Sequence, residues 1–184
     1  MTTLSKSQMD AGQSFANAAV AALQDGGKMH AGTVVGGSAR MAGTYLFRSF
    51  GLELRGVKPG DAVLSEPANA QGPVLIQIAA GVLDRLGIKL DSAAAGAPVS
   101  SPHQPRREFL QTQMTLEPAF APIKDRFALS MPEAAQAGAV ATALLIRHCA
   151  KVLDPNTAFA IAALGFVEGT KTAPEPVHLV SSDG

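Results

Sequence analysis

The densest run of reactive side-chain types in this chain is Arg147-His148-Cys149. A histidine that meets a cysteine takes its proton and leaves a thiolate nucleophile. These two are neighbours in a helical pattern, so they point about 100° apart and do not face each other. Cys149 aligns instead with Thr142, Leu145 and Ile146, the pattern of a packed core thiol. His148, with Lys151 close behind, suits the C-terminal end of a helix, where positive charge is favoured. Glu168 follows the very apolar stretch 158–167. Acid–base chemistry requires His148 and Glu168 to meet inside a cleft. The competing reading is a helix that simply emerges into solvent at Glu168, and it is the favoured one.

Arg40, Arg48 and Arg147 are candidates to hold a ligand carboxylate beside the apolar excess around Phe47, Phe50, Phe109, Phe120, Phe159 and Phe166. Ligand sites are mostly apolar with a few placed polar groups. Gly36-Gly37-Ser38-Ala39-Arg40 has the look of a nucleophile loop, but it lacks the G-x-S-x-G spacing and falls within a helical pattern. The chain has no H-E-x-x-H, its single cysteine leaves no Cys pair for zinc, and two Glu-x-x-His motifs on facing helices are missing. Neither G-x-G-x-x-G nor a P-loop is present. No metal and no cofactor are expected. His30 reads as a solvent-facing polar residue, and His103 and His178 fall in irregular segments away from other ligand types.

Lys+Arg and Asp+Glu both number 15, so the net charge is zero. Nucleic-acid binding ordinarily leaves a basic surplus. The one adjacent basic pair, Arg106-Arg107, is followed by Glu108, and no nucleic-acid partner is expected. Only 16% of residues are charged, against about 25% in ordinary globular chains. Part of the surface should therefore be covered, most simply by a second copy, so a homo-oligomer is expected. No apolar run approaches the roughly 20 residues that span a bilayer. The first ten residues lack the pattern of a signal peptide, and one cysteine forms no intrachain disulfide. The expectation is a cytoplasmic chain without a membrane partner.

These residues must be positioned by helices, because alanine is abundant and strand signals are scarce. Ser5 or Ser7 caps a first helix, with Gln8 completing a capping box on Ser5. It runs to about Leu23 and stops at Gly26-Gly27. A second helix spans about Met29 to Phe50. Its polar side is His30, Thr33, Gly37, Thr44 and Arg48. Its small side is Gly32, Gly36, Ala39 and Gly43, at spacing i, i+4, i+7, i+11. Each interior glycine costs roughly 0.8–1 kcal/mol, so close approach of another helix backbone should offset it. That helix is the first or fifth of the same chain, or, less favoured, the same face of a second copy across a two-fold axis.

A long loop, 52–72, follows, with a turn at Val57-Lys58-Pro59-Gly60-Asp61 and room for a short hairpin. A third helix starts at Pro73, or nearer Glu66 with a kink at Pro73, and ends at Gly87. Residues 88–105 form a flexible surface loop. Arg106 to about Glu117 is helical, with Phe109, Leu110 and Met114 inward. Pro118 and Pro122 should kink or break it before Phe127. Ser130-Met131-Pro132-Glu133 is the cleanest start signal in the chain, opening a helix to about Leu153. Asp154-Pro155 opens another to about Thr170, and the tail after Ala173 is extended or frayed.

The expected fold is an all-α, irregular bundle of about six or seven helices in one domain, 1–184. Its central helix pair lies near 131–153 and 155–170, because those stretches are apolar nearly all round. No motif assigns a reaction. The favoured function is a non-catalytic helical protein that self-associates or binds a protein partner. The alternatives are a binder of a small apolar or carboxylate-bearing ligand in the bundle core, and an enzyme of unknown class.

Overall fold

The computed structural model describes residues 3–176, so His178 lies outside the described residues. They form an all-helical bundle: α1 (Lys6–Leu23), α2 (Ala31–Ser49), α3 (Glu66–Arg85), α4 (Phe109–Arg126), α5 (Met131–Cys149) and α6 (Pro155–Lys171). Two single 3-10 turns, Ala94–Gly96 and Ser101–His103, lie between α3 and α4.

The helix starts follow local chemistry. The Ser5 hydroxyl accepts the Gln8 N–H, and the Gln8 side chain returns the bond to the Ser5 backbone. Ser130 and Glu133 repeat the device on α5, and Asp154 caps α6 through the Thr157 N–H. Between α1 and α2, Gly26 and Gly27 both take positive φ, and Asp25 and Lys28 exchange backbone hydrogen bonds of 2.8 and 2.9 Å across them. His30, expected to face solvent, instead caps α2. Its Nδ1 accepts the Thr33 N–H while its Nε2 faces the Pro102 carbonyl at 2.9 Å.

α2 runs through the middle of the bundle. α5 and α6 are buried as expected, and α2 lies between them as a third core element. The contact is made by residues without bulk. The Gly43 and Gly169 backbones touch, Ala39 meets Gly165, and Gly36 lies under Ile161 and Pro105. On the other side Ala42 sits against Gly138 of α5. The small stripe Gly32, Gly36, Ala39 and Gly43 therefore packs on α6 and on the segment before α4, not on the first or fifth helix. With its own chain covering it, the stripe offers no face to a second copy. An aromatic stack joins α1, α2 and α4, where Phe15 stacks on Phe120 at 4.5 Å and on Tyr45 at 6.2 Å.

Prolines mislead the helix boundaries in three places. α3 begins at Glu66, with Pro67 in its first turn, so Pro73 lies inside the helix and the preceding loop is shorter than 52–72. α4 continues through Pro118 and Pro122 without a break. All three prolines are exposed. A proline removes one N–H and frees the carbonyl four residues earlier. When that carbonyl faces water, a solvent molecule donates the missing bond and the helix survives. Met114 lies on this same wet stripe and is 68% exposed, not inward.

The connections are pinned. In place of a hairpin within the 52–65 loop, residues 60–63 pair with the end of α6: Gly60 N–H donates to the Ala173 carbonyl, Ala173 N–H to Asp61, and Val63 N–H to Lys171. Residues 88–105, expected as a flexible loop, hold the two 3-10 turns and bury Ala94, while the His103 carbonyl lies against Gly32. α5 ends at Cys149, four residues before the expected Leu153, and a short turn leads to α6.

The helix contact yields a direct test. An added Cβ at Gly43 falls 2.7 Å from the Gly169 Cα and the Phe166 carbonyl oxygen, both backbone atoms. Gly43→Ala is expected to lower unfolding free energy by about 2 kcal/mol or more. Gly81→Ala, in open space on α3, is expected to raise it by up to about 1 kcal/mol. Urea titration of both variants checks the contrast.

Candidate functional site

Arg40 and Arg48 are two turns apart on α2, and each side chain is only 12% exposed. A buried guanidinium needs a counter-charge and partners for its N–H groups. Arg40 donates from Nε to Glu168 Oε2 at 2.6 Å and from Nη1 to the Arg107 carbonyl at 2.5 Å and Thr112 Oγ1 at 3.2 Å. One side chain thus ties α2 to α6, to α4 and to the segment before α4.

Arg48 makes a two-pronged pair with Glu117 of α4, its Nη1 facing Oε1 and its Nη2 reaching Oε2 at 3.1 Å. Nη2 also donates to the Glu175 carbonyl at 2.8 Å. Gln113, 2% exposed, completes the cluster. Its amide donates to Glu117 Oε2 at 2.8 Å and to the Glu175 carbonyl at 3.2 Å, and it accepts the Glu175 N–H at 2.9 Å. Burial pulls the Arg48 guanidinium below its ordinary value, yet arginine stays charged at neutral pH, and the Glu117 carboxyl is the acid placed beside it. The carboxylates that fill Arg40 and Arg48 therefore belong to this chain, at the places where a ligand carboxylate was expected.

The remaining sequence candidates are dispersed. Arg147 and His148 are exposed at the end of α5, on a groove of about 470 Å³ shared with Gln13, Ala16, Asn17 and Val20 of α1. Glu168 lies near the far end of α6, on a different groove of about 290 Å³ with Arg40, Val99 and Pro105. The 13 residue steps from Pro155 to Glu168 span roughly 20 Å of helix, so Glu168 pairs with Arg40 and does not approach His148. Cys149 is buried, and burial pushes its thiol up, away from the thiolate. Ser38 is fully buried and accepts a hydrogen bond from Thr142 Oγ1 at 3.0 Å. Among the described residues no three potential metal ligands come together.

Another cleft lies elsewhere. It measures about 540 Å³ between the α1–α2 turn and the residues before α4, and Lys28, His30, Thr33, Arg106 and Arg107 line it. The sequence offered one signal for it, the lone basic dipeptide Arg106-Arg107. Nothing in the sequence announces that the turn at Lys28 lies across from that dipeptide. Comparison with known protein families, curated proteins and solved structures finds no match.

Two outcomes follow from the buried polar groups. Glu117→Gln keeps the shape but leaves Arg48 uncompensated, and a loss of about 3 kcal/mol is expected. Glu168 is 37% exposed, so water can replace much of its role and Glu168→Gln should cost below about 1 kcal/mol. Chemical denaturation of the two variants measures the difference.

Tyr45 is the second group. Its hydroxyl is buried without a partner among the described residues, and burial raises its ionisation well above the ordinary value of 10.0. The folded state thus favours the neutral phenol. Below pH 10 the phenol is neutral in both states, and above it stability falls progressively, from the pH where the unfolded tyrosine ionises up to the raised value of the folded state. Thermal stability should therefore fall steeply above about pH 10, and the fall should be shallower in Tyr45→Phe. That variant should also gain about 1 kcal/mol at neutral pH by removing an unsatisfied hydroxyl. Tyr45 is the sole tyrosine and the chain has no tryptophan, so phenolate absorbance reports its ionisation directly.

Proposed function

We propose that this protein acts by association, through the outer face of α6 with a second copy of itself, and not through an internal reaction centre. One observation carries the reading. Among the described residues, α6 alone presents two large apolar side chains on one exposed stripe, Leu164 (59% exposed) and Val167 (45%). The other large exposed apolar residues, Met9, Leu64, Met114 and Val152, are scattered singly, as on any soluble surface. The stripe continues into the groove formed by Ile161, Val99 and Pro105.

A second copy suits this face. The chain is neutral overall, so two copies do not repel at long range. Glu168 and Lys171 border the stripe with opposite charges, and an isologous contact presents the same pair from both sides. The sparse charge of the whole chain fits a surface that is partly covered. The enzyme alternative requires His148 and Glu168 in one cleft, and they line different grooves.

Light scattering after size exclusion tests the reading. The expected result is a dimer at high micromolar concentration that Leu164→Glu converts to monomer with unchanged helical circular dichroism, since Leu164 is exposed. A wild-type chain that stays monomeric at that concentration, or a dimer indifferent to Leu164→Glu, overturns it.

A further inference from the structure

The protein treats its cations in two ways. Arg40 and Arg48, carried inward by α2, are each matched by a glutamate of the same chain. Lys28 and Arg106 have no ion-pair partner among the described residues, yet both line the 540 Å³ cleft with Arg107. Their backbones are held. Lys28 is locked into the Gly26-Gly27 turn by its reciprocal bonds with Asp25. The Arg106 N–H donates to Thr33 Oγ1 at 3.0 Å. Arg107 is fixed at both ends, its carbonyl accepting from Arg40 and its guanidinium donating to Thr115 Oγ1 at 2.9 Å. The held backbones fix where these side chains start, and of the three only the Arg107 guanidinium is itself held. Asp25 is the one acid on the lining, so three cations face one carboxylate in a chain whose net charge is zero.

We propose that this cleft binds a small phosphomonoester. A phosphomonoester carries about −1.5 to −2 charge at neutral pH, which matches the surplus of cations over acid on the lining. Arginine gives phosphate a planar fork of donors and lysine gives it a point charge. Leu23 and Met29 supply an apolar wall for the organic part, and the volume falls within the roughly 300–1,000 Å³ of small-molecule sites. The site owes nothing to the free N–H groups of a helix start, because His30 already caps α2. It shares no lining residue with the groove on α6, so it stands or falls apart from self-association.

The probe is phenyl phosphate, titrated into the full chain at low salt and followed by amide NMR, with phenol and inorganic phosphate as comparisons. Saturable shifts are expected at Lys28, Thr33 and Arg107, with Kd at or below about 1 mM. Inorganic phosphate should bind more weakly, and phenol should leave these amides unmoved. Lys28→Ala and Arg106→Ala, both at exposed side chains, should each weaken phenyl phosphate about fivefold or more. Arg85→Ala, on a different groove, should leave its affinity unchanged. Three results overturn the proposal: shifts that grow without saturating, which mark an adventitious ion only; affinity within about twofold of wild type in both lining variants; or phenol binding as tightly as phenyl phosphate.

Discussion

The bundle depends on how closely α2 approaches α6. Where Gly43 meets Gly169, backbone touches backbone, and no side chain larger than hydrogen fits between them. That contact draws α2 to the centre, with α5 closing on its other side through Gly138 and Ala42. The position has an electrostatic consequence. Arg40 and Arg48 are carried inward with α2, and a guanidinium out of water needs a carboxylate and fixed acceptors. Glu168 and Glu117 meet that need, with Thr112, Gln113 and two backbone carbonyls completing the shells. The steric constraint thus dictates where the acids of α4 and α6 must stand.

Much of this was legible locally. The capping boxes at Ser5–Gln8 and Ser130–Glu133 and the cap at Asp154 lie within four residues of the helices they start, so the sequence alone exposes them. The all-helical class followed from composition and periodicity. Less visible was anything that depends on which way a helix faces. Pro73, Pro118 and Pro122 look like breaks because a lost N–H is costly in a dry interior. In the fold they all lie on the wet side. The spacing of Pro118 and Pro122, four apart, already put them on one face, but not on which face. The small stripe of α2 announced a close neighbour without saying that it was α6.

The candidate site was less readable. Arg40 and Arg48 were read as holders of a ligand carboxylate, while the glutamates they pair with lie 128 and 69 residues away, beyond any local pattern. His148 and Glu168 were joined only by their chemical types, and α6 itself holds them apart. The basic cleft draws Lys28 and Arg106 from segments that only the tertiary fold brings together. Arg40 and Arg48 are satisfied by the chain itself, so both binding proposals fall on its outside: an apolar stripe on α6 and a group of cations beside the first turn of α2 that have no ion pair among the described residues.

The distance between Arg40 and Glu168 along the chain also bears on the order of assembly. During synthesis the second helix leaves the ribosome long before either of its acids exists. Arg48 gains Glu117 only when α4 has been made, Arg40 gains Glu168 only with α6, and until then Gly43 has no Gly169 to rest on. Full burial of α2 therefore comes only after α6 has been made. For a protein made wholly of helices, usually rapid folders rich in local contacts, this is a decidedly non-local schedule.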